Sequence, residues 1–462
     1  MTSRTLLSAA ASLALAASGL AAQQPAQQPP QQPAQQPAQA PAPQPPQPAT
    51  AQLPQITLAE ALRLAAQNAP AMVQARQNLR VAHAQELQTF GAFLPSISSS
   101  VNGSQSGAQR IDATTGKPVN TGSLINSSVG LSASLDLFTG FRRGANRRAA
   151  QATTTQREAA QLQQEYATAL AAKQAFFTAL ADAELVTVAE SQLRRSGEQL
   201  RLATEKLRLG ATTRADSLSA RVDYGNSQLQ LIQAQANLQF AQVNLGRTIG
   251  IDGAVAPVAD SALEVRLGTL DTVALRNEAT ANAPSVRQAE ASLAASRASL
   301  GASRSQYLPT ISASASQSWA RAEQTLFSGI PFTSSWSVRV GLSYPIFNGF
   351  QRETNIATAD ANVITAQANL RDARLALDAS LTQAVSGLYS ASQQIDIARV
   401  SVAAAEENLR MQQERYRLGT STIVDLLTTQ TALNQAQANL VQARYNYLVA
   451  RAQIEALVGH SL

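Results

Sequence analysis

The chain contains no cysteine and only two histidines, His83 and His460, among its 462 residues. Without thiols it has no disulfide framework, no Cys-based metal cluster and no thiol nucleophile. Acid–base chemistry near neutral pH would then depend on carboxylates, lysines or two isolated histidines, because imidazole is the side chain that ordinarily titrates there. Neither histidine has neighbours that suggest catalysis, so we predict a protein that is not an enzyme and uses no metal or cofactor.

Aromatic and charged residues are also scarce. They make up only 5% and 14% of the chain, whereas Ala, Gln, Ser and Leu are abundant. This balance is typical of tightly packed helices with small residues at their contacts. The formal net charge of +6 is modest for this length, and no run of Lys and Arg carries interleaved aromatics. Nucleic acid is therefore not a predicted partner.

The first 54 residues have the composition of targeting and tether segments. Residues 1–22 carry one Arg, an apolar stretch of Leu and Ala, and then small residues, which predicts a secretory signal peptide. The apolar run is too short for a membrane-spanning helix, and without a Cys after it an N-terminal lipid anchor is not expected. Residues 23–54 are rich in Pro and Gln and are predicted to form a flexible linker.

The rest of the chain repeats itself. Four short motifs recur in the same order in both halves, and such self-similarity marks a duplicated structural unit. The pairs are Asn-Ala-Pro at 68–70 and 282–284, Leu-Pro-x-Ile-Ser at 94–98 and 308–312, Leu/Ile-Phe-x-Gly-Phe-x-Arg at 137–143 and 346–352, and Arg-Leu-Gly at 208–210 and 417–419.

Each unit is predicted to contain a helix, a β-hairpin and a long helical hairpin whose two helices meet at a tip. The first repeat is placed at residues 55–250 and the second at 269–459, with an inter-repeat segment at 251–268 and a tail at 460–462. The β-hairpin and tip are placed at 93–138 and 208–216 in the first repeat, and at 307–347 and 417–425 in the second.

The long helices carry a heptad pattern. In the second repeat apolar residues fall every seven positions, at Leu381, Leu388, Ile395, Val402, Leu409 and Tyr416, with Ala at the complementary positions. This period, sustained over so many turns, is typical of coiled coils rather than of globular cores. A helix from 354 to 416 would be about 90 Å long, which is longer than the helices of an ordinary soluble bundle.

The predicted strands alternate between apolar and small polar residues. Trp336, Val338, Val340 and Leu342 alternate with Ser, Arg and Gly, as in membrane β-strands. A soluble sandwich with one buried face is the alternative, but the Ser- and Gly-rich opposite face is better suited to a wet lumen. The strand ends predict an aromatic girdle at a membrane interface, formed by Phe138, Phe141, Phe347 and Phe350.

Four strands cannot form a closed barrel. In a bilayer their open edges would leave backbone groups unsatisfied, which costs several kcal/mol for each group. The chain is therefore expected to oligomerise and share one barrel. Two chains would supply about eight strands with a filled interior, and three would supply about twelve with a usable pore.

With these features the chain resembles the TolC-type outer-membrane factor family, most specifically in "YRLGTSTIVDLL" from Tyr416 to Leu427. The resemblance implies an α+β membrane protein of duplicated units, in which a homotrimer forms a twelve-strand β-barrel and a long α-helical coiled-coil periplasmic barrel. It implies the outer membrane of a Gram-negative bacterium, with outer-membrane lipid around the barrel. The implied function is that of an exit duct for a tripartite efflux pump or a type I secretion system.

The resemblance also implies partners and a gate. The partners are a periplasmic adaptor protein and an inner-membrane transporter of the RND, MFS or ABC class, and the helix tips close the duct until these engage it. The adaptor-docking surface is implied at Arg208, Leu209, Gly210, Arg417, Leu418 and Gly419.

The two tips share a capping pattern. Gly210 and Gly419 are predicted to end helices in the left-handed conformation. Thr213 and Thr422 are predicted N-caps, with Asp216 and Asp425 completing capping boxes. Both aspartates could serve only to stabilise helix ends, but the resemblance places them at the constriction, where six carboxylates in a trimer would favour cations.

The gate departs from the best-known family pattern. Ser421 stands where that pattern has an Arg, and Thr428 where it has a second acidic residue. Tyr416 is retained, although it also continues the apolar seam and could be a packing residue. Closure is therefore expected to use weaker hydrogen bonds or apolar contacts.

Two alternative functions agree less well with the sequence. One is a structural coiled-coil surface or stalk protein with membrane-anchoring strands, but a stalk needs no matched strand pair and tip in each half. The other is a hydrolase or porin-like enzyme, for which no nucleophile–base pair is present. A cluster at Arg142, Arg143, Arg147 and Arg148 could meet lipid phosphates or acidic partners, or could simply be a solvated helix start.

Overall fold

The computed structural model describes residues 53–259, 275–277, 279, 282–323 and 331–460. The predicted signal peptide, all but the last two residues of the predicted linker and residues 260–268 of the inter-repeat segment lie outside these ranges. So do the last two residues of the predicted tail.

The order of elements repeats along the chain. In the first half the elements are β1 (Gln55–Ile56), α1 (Leu58–Asn68), α2 (Pro70–Gly91), β2 (Ser96–Ile111), β3 (Pro118–Phe138), α3 (Arg142–Arg208) and α4 (Arg214–Ile249). In the second half they are β4 (Ala256–Pro257), α5 (Pro284–Arg304), β5 (Thr310–Glu323), β6 (Thr333–Ser343), α6 (Gln351–Arg417) and α7 (Ile423–Val458). The helices α3 and α6 each have 67 residues, and α4 and α7 each have 36.

Local sequence explains where the short helices begin. Thr57 is the N-cap of α1, and its side-chain oxygen accepts a hydrogen bond of 3.3 Å from the backbone N–H of Glu60. Both α2 and α5 begin at a proline, Pro70 and Pro284. Proline suits a first helical position, because the N–H that it lacks would have no partner inside the helix.

The four long strands form one antiparallel sheet in the order β2–β3–β5–β6. The pairing of β3 with β5 joins the two repeats. Within the described part of the chain, β2 and β6 are each paired on one side only. The second β-hairpin is predicted to extend to residue 347, but β6 ends at Ser343. Pro345 follows, and it has no N–H to donate to a ladder.

The register separates the side chains of the sheet into two faces. One face is apolar and exposed in the single chain; Trp336, Val338 and Leu342 are 76%, 67% and 70% exposed. The other face carries rows of serines, such as the row in which Ser98, Ser132, Ser316 and Ser337 stand opposite one another. Hydroxyl groups within these rows bond across strands at 2.7–2.9 Å. The sheet therefore has one face suited to lipid and one suited to water.

The long helices pack as two antiparallel hairpins, α3 with α4 and α6 with α7. The predicted seam of α6 is buried at Leu381, Leu388, Ile395, Leu409 and Tyr416. One position of the predicted pattern, residue 402, is only half-buried. This agreement is expected, because a heptad pattern keeps the same side chains on the contact face of a coiled coil.

Contacts between α3 and α7 fasten the two repeats together. Lys173 of α3 forms an ion pair with Glu455 of α7. Further towards the tips, Glu184 of α3 accepts hydrogen bonds from Tyr445 at 2.9 Å and from Arg444 at 3.3 Å. These partly buried polar pairs lie between long apolar seams, so they define the register of one hairpin against the other.

Among the helices that the structure describes, none combines the length and the hydropathy needed to cross a bilayer.

Candidate functional site: the helix tips and the sheet-to-helix junctions

Both long helices end in the same backbone motif. Gly210 lies two residues after the end of α3 and has a φ of 72°, and Gly419 lies two residues after the end of α6 and has a φ of 77°. At the first tip the N–H of Gly210 donates to the carbonyl of Leu207, and that of Ala211 donates to the carbonyl of Lys206 at 2.7 Å. The second tip has the equivalent bonds. This is a Schellman motif, which requires a left-handed residue and therefore favours glycine.

The returning helices begin with the predicted capping boxes. Thr213 accepts a hydrogen bond from the N–H of Asp216 at 3.2 Å, and the Asp216 carboxylate accepts one from the N–H of Thr213 at 3.2 Å. Thr422 and Asp425 make the same pair of bonds at 3.1 and 3.2 Å. Asp216 also accepts a bond of 2.6 Å from the Thr212 hydroxyl. Both capping boxes are confirmed, and they fix the position of each carboxylate.

The hydrogen bonds also keep both carboxylates charged. The Thr212 hydroxyl lowers the pKa of Asp216 below its ordinary range. The side chain and backbone of Thr422 lower the pKa of Asp425. A hydrogen bond to the ionised form of a carboxylate stabilises that form. Each chain therefore presents two ionised carboxylates at its tips at neutral pH.

Tyr416 connects the second tip to the first. Its side chain is buried, in a cluster with Ala203 of α3 and with Leu409 and Leu426. The ammonium of Lys206, in the last turn of α3, lies 4.1 Å from the centroid of the Tyr416 ring and donates to the Tyr416 carbonyl at 2.8 Å. Burial, and next the charge of Asp216, raise the pKa of the Tyr416 hydroxyl. Tyr416 is thus both a packing residue and a neighbour of the first tip.

Ser421 and Thr428 make only local or no polar contacts. Among the residues that the structure describes, the Ser421 hydroxyl is buried without a hydrogen-bond partner. Thr428 donates to the carbonyl of Val424 within its own helix at 2.9 Å. Within the described part of the chain, neither bonds to Asp216 or Asp425. The tips of one protomer are therefore joined through Lys206 and Tyr416, two residues that lie on different repeats.

The two Arg-Leu-Gly segments present matching exposed surfaces. Arg208 and Arg417 are exposed and pair with the glutamate three residues earlier, at 3.1 and 3.0 Å. The leucine beside each arginine, Leu209 and Leu418, is 72% and 71% exposed. Each tip thus offers one apolar side chain next to a partly neutralised arginine.

Sequence reasoning missed Lys206 and Thr212. Lys206 is one of two basic residues in the last turn of α3, where a cation ordinarily stabilises the helix dipole, so nothing in the sequence distinguishes it. Thr212 directly precedes the N-cap threonine Thr213. This pair of threonines is the only sign in the sequence that Thr212 could bond to Asp216.

The junctions between sheet and helix carry paired phenyl rings. Phe138 and Phe141 meet edge to face with centroids 5.4 Å apart, and Phe347 and Phe350 do so at 5.5 Å. Phe141 and Phe350 each have a φ of 64°, which is unusual for a residue other than glycine. The left-handed backbone turns these rings onto the phenylalanines at the strand ends, and three of the four rings are strongly exposed.

An arginine at each junction ties the strand end to the helix start. Arg143 donates to the carbonyls of Ala92 and Leu137, both at 3.1 Å. Arg352 donates to the carbonyls of Pro345 and Ile346, at 3.1 and 3.3 Å. Each guanidinium also lies over an aromatic ring, that of Phe93 or that of Tyr307. These arginines have a structural role that the duplication preserved.

Among the residues that the structure describes, no group of three or more His, Cys, Asp or Glu is arranged to hold a metal ion.

The chain belongs to the outer membrane efflux protein family, whose family model matches residues 61–251 and 275–460. The two matched segments correspond to the two repeats. The family resemblance inferred from the sequence is thereby confirmed.

Several proteins of known name are similar to parts of this chain. Outer membrane protein TolC of Escherichia coli is 28% identical over 123 residues, which is 26% of this chain and 25% of TolC. Protein CyaE of Bordetella pertussis is 27% identical over 221 residues, 46% of this chain and 44% of CyaE. The probable efflux pump outer membrane protein TtgC of Pseudomonas putida is 26% identical over 205 residues, 44% and 40% of the two chains. The matched region thus spans between a quarter and under half of the length of these relatives.

Solved structures show the same fold over most of the chain. A structure of CusC, studied for its folding and transmembrane channel formation, has a TM-score of 0.73 at 20% identity, covering 87% of this chain and 92% of CusC. The Campylobacter jejuni CmeC outer membrane channel has a TM-score of 0.71 at 19% identity, covering 87% and 85%. At this identity the likeness establishes the fold, a mostly helical chain with a small sheet.

Proposed function

We propose that this protein is a passive exit duct in the outer membrane of a Gram-negative bacterium, serving a tripartite efflux pump. The family and the shared fold support this function, because the named relatives include efflux pump outer membrane proteins. The same geometry would serve a type I secretion system, whose duct would differ only in its cargo.

The observation that carries the proposal is an apolar face on α4 that none of the described elements covers. Its residues lie on one side of the helix, and most are more than half exposed: Leu218, Val222, Leu229, Ile232, Phe240 and Val243. A helix stripe of this kind is buried in a stable protein, and monomers rarely expose so much apolar surface. We assign it to contact with the α6 helix of a neighbouring copy, which has exposed apolar residues of its own at Tyr389, Ile397 and Val400.

The sheet also needs neighbouring copies of the chain, because its two edge strands are unpaired on one side within the described ranges. The unpaired edges of β2 and β6 would meet in successive copies and close the barrel without an exposed edge. Three copies supply about twelve strands, enough for an open lumen, whereas two supply about eight, whose interior side chains would fill it. The proposed assembly is therefore a homotrimer with the serine rows facing the lumen, the apolar face in outer-membrane lipid, and the four junction phenylalanines as its periplasmic girdle.

At the far end of the duct we place the gate. In a trimer the tips bring six carboxylates, from Asp216 and Asp425, around one opening. Their field favours cations. Closure rests on the contacts of Lys206 with Tyr416, which join the tip of one repeat to that of the other. Ser421 and Thr428 take the places of a stronger charged latch, so closure uses weaker hydrogen bonds and apolar contacts.

The exposed Arg-Leu-Gly segments are the proposed docking surface for a periplasmic adaptor. Two equivalent segments in each chain would give a trimer six similar positions. The adaptor would connect the duct to an inner-membrane transporter of the RND, MFS or ABC class, and the transport energy would come from that transporter.

Assembly and conductance test the proposal together. Full-length protein extracted in detergent should have the mass of a trimer by light scattering and should form channels in planar bilayers. V222E/I232E removes the apolar face of α4 and should give monomers, whereas V73E, at an exposed apolar residue outside this face, should still give trimers. A water-soluble monomer without conductance would instead support the coiled-coil stalk alternative.

A further inference from the structure

The start of α3 carries three arginines without a counterpart in the second repeat. Arg142, Arg147 and Arg148 are exposed. When the two junction motifs are superimposed in sequence, the corresponding residues at the start of α6 are Gln351, Ile356 and Ala357. The two helix starts have the same fold, so the fold itself does not require these three cations.

Arg143, the fourth arginine of the cluster, is the one that the junction itself requires. Arg143 and its counterpart Arg352 hold the strand-end carbonyls in both repeats. The side chains of Arg142 and Arg148 make no hydrogen bond or ion pair to the described residues, and that of Arg147 only lies over the ring of Phe90, 5.6 Å from its centroid. Their guanidinium groups therefore have donors available for a ligand.

The charge around these arginines is unbalanced. Residues 142–157 contain five arginines and no acidic residue. The facing helix α2 contributes Glu86, which accepts a hydrogen bond from Thr154, and α5 ends with a further basic residue, Arg304. The first turn of α6, in contrast, contains Glu353. The excess positive charge thus lies at the start of α3 and not at the start of α6.

The position of the cluster points to the ligand. Arg142 directly follows the exposed ring of Phe141, at the end of the apolar sheet face. From Arg142 to Arg148 the helix rises about 9 Å, and the polar interfacial layer of one leaflet is about 5–7 Å thick. If the phenylalanines lie at the edge of the hydrocarbon, the three guanidinium groups lie at the depth of the lipid phosphates.

We propose that Arg142, Arg147 and Arg148 bind the phosphate groups of anionic phospholipids in the periplasmic leaflet. This inference rests on the proposed function, because it needs the sheet to lie in the outer membrane. Guanidinium and phosphate form short, charge-assisted and often bidentate hydrogen bonds. Three sites per trimer would hold lipids around the start of each α3 helix, which gives the first repeat an anchor that the second lacks.

Lipid titration of the detergent-extracted full chain tests the proposal. Phosphatidylglycerol and phosphatidylcholine are titrated separately, and retained lipids are counted by native mass spectrometry. R142Q/R147Q/R148Q should weaken phosphatidylglycerol binding at least ten-fold, since each basic residue near an anionic surface contributes about five-fold, and should leave phosphatidylcholine binding unchanged. The preference for phosphatidylglycerol over phosphatidylcholine should also weaken when the salt concentration is raised.

The chain offers matched controls. R201Q/R214Q/R221Q removes the same charge from exposed positions near the first tip and should leave the lipid preference intact. Q351R/A357R copies part of the cluster into the second repeat and should strengthen phosphatidylglycerol binding. If the triple variant does not assemble, R142Q and R148Q singly should each weaken binding about five-fold.

Three results would overturn the assignment. The first is an unchanged phosphatidylglycerol affinity in the triple variant, and the second is an equal loss in the tip control, which would indicate only a net-charge effect. The third is full displacement by millimolar inorganic phosphate, which would indicate a free-anion site. Trimer mass and conductance, measured on the same preparations, separate these results from failure of the proposed function.

Discussion

The carboxylates at the tips can be neutralised without removing the caps that they form. In D216N/D425N the asparagine oxygen can still accept the hydrogen bond from the N–H of Thr213 or Thr422, because an amide oxygen is an acceptor like a carboxylate oxygen. Only the charge is lost, and with it the interaction with the helix N-terminus, worth about 0.3–1 kcal/mol at each tip. The tips should therefore keep their structure while the opening loses its negative field.

The size of the effect follows from six charges around one opening. In water, one carboxylate changes the free energy of a monovalent ion about 10 Å away by about 0.4 kcal/mol. Screening over one Debye length reduces this to about 0.15 kcal/mol. Six carboxylates together contribute about 0.9 kcal/mol, which enriches cations about five-fold and depletes anions by a similar factor.

Reversal potentials in a salt gradient measure this field. We expect clear cation preference in the wild type at about 0.1 M salt, and a permeability ratio near one in D216N/D425N. The preference should also fade near 1 M salt, where the Debye length is about 3 Å. Because both pKa values are lowered, acidification should abolish the preference only below the ordinary range of aspartate.

The matched control removes the caps and keeps the charges. T213A/T422A deletes both N-cap hydroxyls, at a cost of about 0.5–2 kcal/mol each, and should increase hydrogen exchange at the tips while the cation preference persists. If D216N/D425N retained the wild-type permeability ratio, the aspartates would be capping residues only, and the constriction would have to lie elsewhere.

Three further predictions concern the backbone and the contacts between repeats. G210A/G419A places a side chain at a positive φ, at about 1–2 kcal/mol per site, and should lower the thermal stability of the tips. G144A, at a helical glycine with equally open surroundings, should not. K206M removes a cation–π contact and a hydrogen bond, together worth about 1–3 kcal/mol, and should increase the open fraction in single-channel recordings. R352K cannot reproduce the two carbonyl bonds of a buried guanidinium, and should lower the temperature of trimer dissociation; an unchanged temperature would remove the structural role given to Arg352.

Much of the fold was predictable because its sequence pattern is periodic. The seam residues of α6 were identified from a seven-residue spacing, and most are buried. The capping boxes were identified from Thr213 with Asp216 and from Thr422 with Asp425, since capping depends on residues only three positions apart. Local and periodic interactions can be predicted from the sequence directly.

Contacts between the two repeats could not be predicted from the sequence. Lys206 meets Tyr416 across two helical hairpins, and neither residue type nor spacing indicates the pairing. The left-handed backbone of Phe141 and Phe350 was also unforeseen, because propensity disfavours it and only the packing of each ring on its neighbour compensates. The roles of the gate and docking residues depend on copies of the chain that one sequence does not display, so they remain proposals.

The equal lengths of α3 and α6, and of α4 and α7, constrain how this protein can change over evolutionary time. Deleting one residue from a single long helix would retract its end by about 1.5 Å and rotate it by about 100°, so that the two ends in one chain no longer lie level. Insertions or deletions should thus be tolerated only in whole heptads, and only when both helices of both hairpins change together. The length of the duct can therefore change only in heptad steps, and each step needs matched changes in all four long helices.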